Sequence, residues 1–333
     1  MEAEKNTRAD SDKKQLALKQ LVSQNSIWLA LIVMVLLVSI LRPQFFTSDN
    51  LFTLLQGESI KGVMAFGVMF AILSKGIDLS MGSVVALVAV ICASFAQNAD
   101  AANRLLGGFG PLPAPVIWLI GIAIGLIIGC VIGALIAYTK IPAFIATLGA
   151  QLICRALSKM YSTQPVSNLS PSFRVIGRGN TIIIIFVIFF IIGAFLLTQT
   201  RFGKNIYAIG GNDQAAQVAG INVEKNIIKL YAWCSMCAAV GGILLAARTG
   251  SADPSTYGLN YELDAIAAAT IGGTSHSGGI CRVTGVLAGI LIMGVINNGL
   301  VILGVDDNMT NVIKGLIIVG AVIFDMRKNV KRA

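Results

Sequence analysis

Few residues in this chain could do covalent chemistry, and their spacing does not assemble them. His276 is the only histidine among 333 residues, so a hydrolytic triad or a His-Glu-x-x-His zinc site cannot be built. Gly203-Lys204 is followed by Asn205 and lacks the upstream glycine of a phosphate-binding loop, so the chain is expected to hold no ATP and no other cofactor or metal. What the sequence does hold is hydrogen-bonding capacity set inside apolar runs. Asp78 and Ser80, Thr274 and Ser275, and Asn297 and Asn298 are candidates for a polar path or gate, and Arg155 for a contact with solute or a docked protein on the outer side. Polar groups persist at membrane depth only where protein or water satisfies them. Each candidate also has a structural reading. Asp78 suits a helix cap, Arg155 a bond to a carbonyl, and the two asparagines a bond between helices.

The elements that must position these groups are membrane spans. The chain is 56% hydrophobic and 12% charged, against about 25% charged in soluble domains, and its mean hydropathy is +0.80. About 20 apolar residues cross a ~30 Å hydrocarbon core, and ten candidate helices are expected at 27–41, 48–74, 82–97, 114–139, 142–162, 181–198, 226–247, 263–273, 283–303 and 309–324. This is an all-α integral membrane protein, a bundle of about ten transmembrane helices. The second, third and eighth are short or interrupted. Two breaks, at 74–80 and 270–279, each follow one apolar helix and lead into another, which hints at an internal repeat. Glu58 and Lys61 are spaced to pair on one helix face. Gly121, Gly125, Gly129 and Gly133 line one face of the fourth span, a strip for close helix packing or a dimer seam. The six cysteines lie in or beside apolar segments and read as small packing residues.

Between two of the spans lies a polar island, residues 200–223, far longer than a helix hairpin needs. Asn212 suits an N-cap, Asp213 the first turn, Ala215 and Ala216 a helix interior, and Gly220 a left-handed stop. A short helix of roughly eight residues outside the bilayer is expected here.

Sixteen of the 25 lysines and arginines fall on the side of the two termini and the island, which places both termini and the island in the cytoplasm. The tails are expected at 1–26 and 326–333, flanking a transmembrane domain at 27–325. The net charge of +9 follows this orientation pattern, so no nucleic-acid partner is expected.

Several motifs in order resemble the permeases of ABC importers for simple sugars of the ribose, galactose and allose type. They are Phe45-Phe-Thr-Ser-Asp-Asn-Leu-Phe52, Gly76-Ile-Asp-Leu-Ser-Met-Gly-Ser83, Pro142-Ala-Phe-Ile-Ala-Thr-Leu-Gly149, Gly210-Gly-Asn-Asp-Gln-Ala-Ala-Gln-Val-Ala-Gly-Ile221, Tyr261-Glu-Leu-Asp-Ala-Ile-Ala-Ala268 and Gly272-Gly-Thr-Ser-His-Ser-Gly-Gly279. Ile280-Cys281-Arg282 departs from the small residues the pattern has next. The resemblance implies that Gly210, Gly211, Asn212, Asp213, Ala215, Ala216, Gly220 and Ile221 form a cytoplasmic segment coupling to an ATPase. It implies a bacterial inner-membrane location and a second permease chain, identical or different. It also implies an ABC ATPase with two nucleotide-binding domains that uses ATP and magnesium, and an external sugar-binding protein. The alternative is an ion-coupled secondary transporter of a small polar solute, with Asp78 or Asp264 as the ion site.

Overall fold

A computed structural model describes residues 26–108 and 110–330. The expected tails at 1–25 and 331–333 lie outside the described residues. The helices are α1 (Ser26–Leu41), α2 (Ser48–Leu73), α3 (Met81–Ala96), α4 (Ala114–Thr139), α5 (Ala143–Tyr161), α6 (Pro171–Arg174), α7 (Thr181–Gln199), α8 (Arg201–Gly211), α9 (Asp213–Val218), α10 (Val223–Thr249), α11 (Tyr261–Ile271), α12 (Val283–Ile302) and α13 (Asp307–Val330). Ten of them fall on the ten apolar segments of the sequence, and the last runs on through part of the expected C-terminal tail. Among the described residues the only strands are β1 (Val166–Ser167) and β2 (Ser251–Ala252), which pair antiparallel.

The core is built around α10. In its most apolar 18-residue stretch, 94% of residues are buried, against 28% in α4 and 6% in α13. The glycine strip explains how α4 reaches it. A side chain at Gly121 would strike Ile243, at Gly125 Ala239, at Gly129 the Tyr231 carbonyl, and at Gly133 the Ile228 backbone. The strip is therefore an internal seam with α10 that brings backbones into direct contact. The six cysteines are free, and five are buried, as packing residues would be.

Among the described residues, five helices are long and apolar enough to cross a membrane: α4, α7, α10, α12 and α13. α3 and α11 are not. At 1.5 Å per residue, 16 residues reach about 24 Å and 11 residues about 16 Å, short of a ~30 Å core. They are complementary halves. The far end of α3 lies by the clasp, where Gln97 bridges Leu169 beside the β1–β2 pair. The far end of α11 leads to the Gly-rich turn that meets α8 at the opposite end of the bundle. Their N-termini meet between, with Gly82 packed on Glu262 and Gly258. Two polar segments, 74–80 and 253–260, dip into the bundle to reach that point.

The close seam predicts sharp sensitivity to added volume. Gly129→Val is expected to lower the melting temperature of the detergent-solubilised protein by several degrees, since overpacking costs about 1–3 kcal/mol. Gly149→Ala, where nothing lies within 4 Å, is expected to be neutral or stabilising, by up to about 1 kcal/mol.

Candidate coupling elbow and membrane-embedded polar groups

The island folds into two helices where one was expected. Thr200 caps α8 by accepting from Gly203 N at 3.2 Å, and Phe202, Ile206 and Ile209 supply an inward face at helical spacing. Asn212 then turns the chain with φ −155° and caps α9, its Oδ1 accepting from Ala215 N at 2.9 Å. α9 is six residues long, slightly shorter than expected. Gly220 ends it at φ +84°, and Ile221 N donates back to the Ala216 carbonyl at 3.0 Å. This satisfies helix-end carbonyls that would otherwise be orphaned. Ala216 is the only buried residue of α9; Asp213, Ala215 and Gly211 are exposed, and Val218 is 91% exposed. The sequence pattern found the caps but not Val218, whose importance lies in being left out of the core.

The elbow is fastened to both helix breaks. The carbonyl of Leu73, the last residue of α2, accepts from Gly279 N at 3.0 Å. Gly210 lies against that bond, and any side chain there would run into the Leu73 carbonyl and the Gly279 amide. Lys75, held at φ +65°, donates from Nζ to the Gly211 carbonyl at 3.1 Å. Tyr207 OH donates to the Cys281 carbonyl at 2.8 Å, and burial pushes its phenol up to about 12, so it remains a donor at physiological pH.

The second break is ordered by its own polar residues. Ser275 Oγ and His276 N both donate to Asp325 Oδ2 of α13, at 3.0 and 3.1 Å. Thr274 Oγ1 lies 3.2 Å from Cys281 Sγ, and His276 Nε2 lies 2.9 Å from Thr270 Oγ1. Burial lowers the His276 pKa, with the Asp325 carboxylate pulling the other way. In the first break Asp78 is fully buried. Its Oδ1 accepts from Ser80 N at 3.0 Å and Ser80 Oγ at 2.6 Å, and its Oδ2 has no partner. Ser80, not Asp78, occupies the N-cap position of α3.

The remaining candidates are engaged within the bundle. Asn298 exchanges two 2.9 Å bonds with Asn50 of α2, and Asn297 donates to Glu58 at 3.2 Å. Arg155 Nη1 donates to the Tyr257 and Pro254 carbonyls at 2.7 and 3.3 Å, holding the dipping segment 253–260 to α5. Glu58 and Lys61 pair on one face of α2 as expected, at 3.9 Å. Lys61 also meets Asp264, more closely, at 2.6 Å, and Lys314 reaches the same carboxylate at 3.4 Å.

Residues 50–322 match the family described as the permease component of branched-chain amino acid transport systems. The chain belongs to this permease family. The permease is also 38% identical to the galactose/methyl galactoside import permease protein MglC of Haemophilus influenzae, with 94% of this chain and 96% of that one covered. It is equally similar, at 38%, to the ribose import permease proteins RbsC of Bacillus subtilis, over 98% of this chain and 99% of the relative, and of Escherichia coli K12, over 97% and 99%. No solved structure matches this permease with significance.

The elbow joint and the second break each yield an expectation. Gly210→Ala is expected to open the Leu73–Gly279 bond, worth about 1 kcal/mol, and to raise hydrogen exchange at Gly279 roughly fivefold by mass spectrometry of the 272–282 region. Because burial holds the folded His276 pKa below its ordinary 6.5, its contribution to stability is complete above 6.5 and is lost below it, as pH falls through the lowered folded pKa. His276→Gln is expected to flatten the melting-temperature profile between about pH 7 and 5.

Proposed function

We propose that this permease forms the translocation path of an ATP-driven, binding-protein-dependent importer of a monosaccharide of the ribose or galactose kind. The observation that carries the coupling half of this reading is the elbow. Its exposed face, Asp213, Ala215 and Val218, stands clear of the bundle, and its inner face is bonded to both helix breaks. A push on α9 therefore reaches α2 and the second break through the Gly210 backbone joint, and the first break and the segment before α12 through Lys75 and Tyr207. In this reading the elbow faces the cytoplasm with both termini, in a bacterial inner membrane, as the lysine and arginine distribution supports. An ABC ATPase with two nucleotide-binding domains covers α9 and supplies the ATP and magnesium chemistry. A second permease chain, identical or different, completes the path, and an external sugar-binding protein delivers the solute.

The family description points to branched-chain amino acids, whereas the full-length relatives carry names of sugar permeases. The family description covers a broad group, and the near-complete coverage of the sugar relatives favours the sugar. An ion-coupled mechanism fits less well, because Asp264 is held by two lysines and is not a free ion site.

Reconstitution with the ATPase and binding protein in proteoliposomes tests the proposal. ATP-dependent uptake of labelled ribose or galactose is expected. Ala215→Trp and Val218→Asp are each expected to reduce it at least tenfold while leaving insertion and melting temperature near normal. Uptake by the permease alone, driven by a proton or sodium gradient, would overturn the reading.

A further inference from the structure

The junction of the two half-helices collects polar groups that neither the elbow nor the helix packing explains. Glu262, in the first turn of α11, is 5% exposed, and its Oε2 is buried with no hydrogen-bond partner. Its Oε1 accepts from Gln151 Nε2 of α5 at 3.2 Å. Arg155 stands one turn along α5 from Gln151. About half a helical turn from Glu262, Asp264 carries Lys61 of α2 and Lys314 of α13, whose side chains each keep 17% exposure. The ring of Tyr261 lies 5.2 Å from Lys61 Nζ.

An unpartnered carboxylate oxygen in a membrane bundle is costly, by several kcal/mol for an isolated ion even after relaxation. The N-terminus of α3 at Gly82, packed on Glu262, supplies part of the compensation through its aligned peptide dipoles. It does not supply a hydrogen bond. Gln151 and Arg155 are half-buried, and Leu263 between the two acids is 42% exposed. Charged and amide groups at this depth turn toward protein or a watery path and away from lipid.

We infer that Gln151, Arg155 and Glu262 form a mid-membrane station at which a neutral, polyhydroxylated solute is held in passage. The inference rests on the proposed sugar-importer function. Glu262 accepts a solute hydroxyl, and the Gln151 amide both donates and accepts. Opposite charges are interleaved, so an anion meets Glu262 and a cation meets Arg155. A neutral solute rich in hydroxyls satisfies donors and acceptors together, which a lone anion or a lone cation does not. Gln151 occupies Glu262 Oε1 when the station is empty, and a hydroxyl replaces it when the solute enters.

The test uses the reconstituted complex with its ATPase and binding protein. Uptake of ribose, of galactose and of a monodeoxy analogue of whichever sugar is transported is measured beside binding-protein-stimulated ATP hydrolysis. Glu262→Gln and Gln151→Leu are each expected to lower sugar moved per ATP at least tenfold, with stimulated hydrolysis within twofold of the parent. The preference for the sugar over its deoxy analogue is expected to shrink. Unchanged uptake and preference in both variants would overturn the station. So would parallel loss of uptake and hydrolysis, which marks a structural role for the pair. Absence of sugar uptake by the parent complex would instead overturn the importer reading on which the station depends.

Discussion

The contact on which the rest depends is a single backbone hydrogen bond, from Gly279 to the carbonyl that ends α2, with Gly210 pressed against it. Three segments far apart in sequence share one point, and no side chain intervenes. Side-chain contacts can slip by rotamer changes. A joint made of three backbones transmits displacement with little play, because packed interiors are stiff and fill space densely. The choice of glycine at position 210 follows from space and not from φ. Lys75 and the polar termini of the second break reinforce the joint without creating it.

The same bundle must also hold ionisable groups away from water. It does so by distributing them over complementary partners. Lys61 and Lys314 share Asp264, Asn297 contacts Glu58, and turn carbonyls of the 253–260 segment receive Arg155. Removing one member of such a set leaves an uncompensated buried charge, a loss of about 3–5 kcal/mol. The half-helices α3 and α11 exist because polar backbone must enter the bundle somewhere, and it is tolerated only where protein encloses it.

Much of this was legible in the residues. All ten apolar runs became helices, and Asn212 and Gly220 punctuated α9 where their types required. α8 was legible too, since Thr200 and the spacing of Phe202, Ile206 and Ile209 mark a helix; its polar exposed face made it read as loop. The polar candidates were harder. Asn297 and Asn298 carry the same amide whether they meet a solute or another helix, and only the proximity of Glu58 and Asn50 decides between them. Glu262 lay within a quoted motif but gave no sign of a site, because its interest comes from residues 111 and 180 positions away that fold against it. The glycine strip was legible as a strip, but its partner, α10 of the same chain, was not.

The small β1–β2 clasp has a mechanical consequence. It ties the connection after α5 to the connection after α10, at the end of the bundle opposite the elbow. With that end stapled, a displacement delivered at α9 is largest near its point of application and dies away toward the strands. Under the proposed coupling, the clasp is a fulcrum and the half-helices between it and the elbow are the arms it supports.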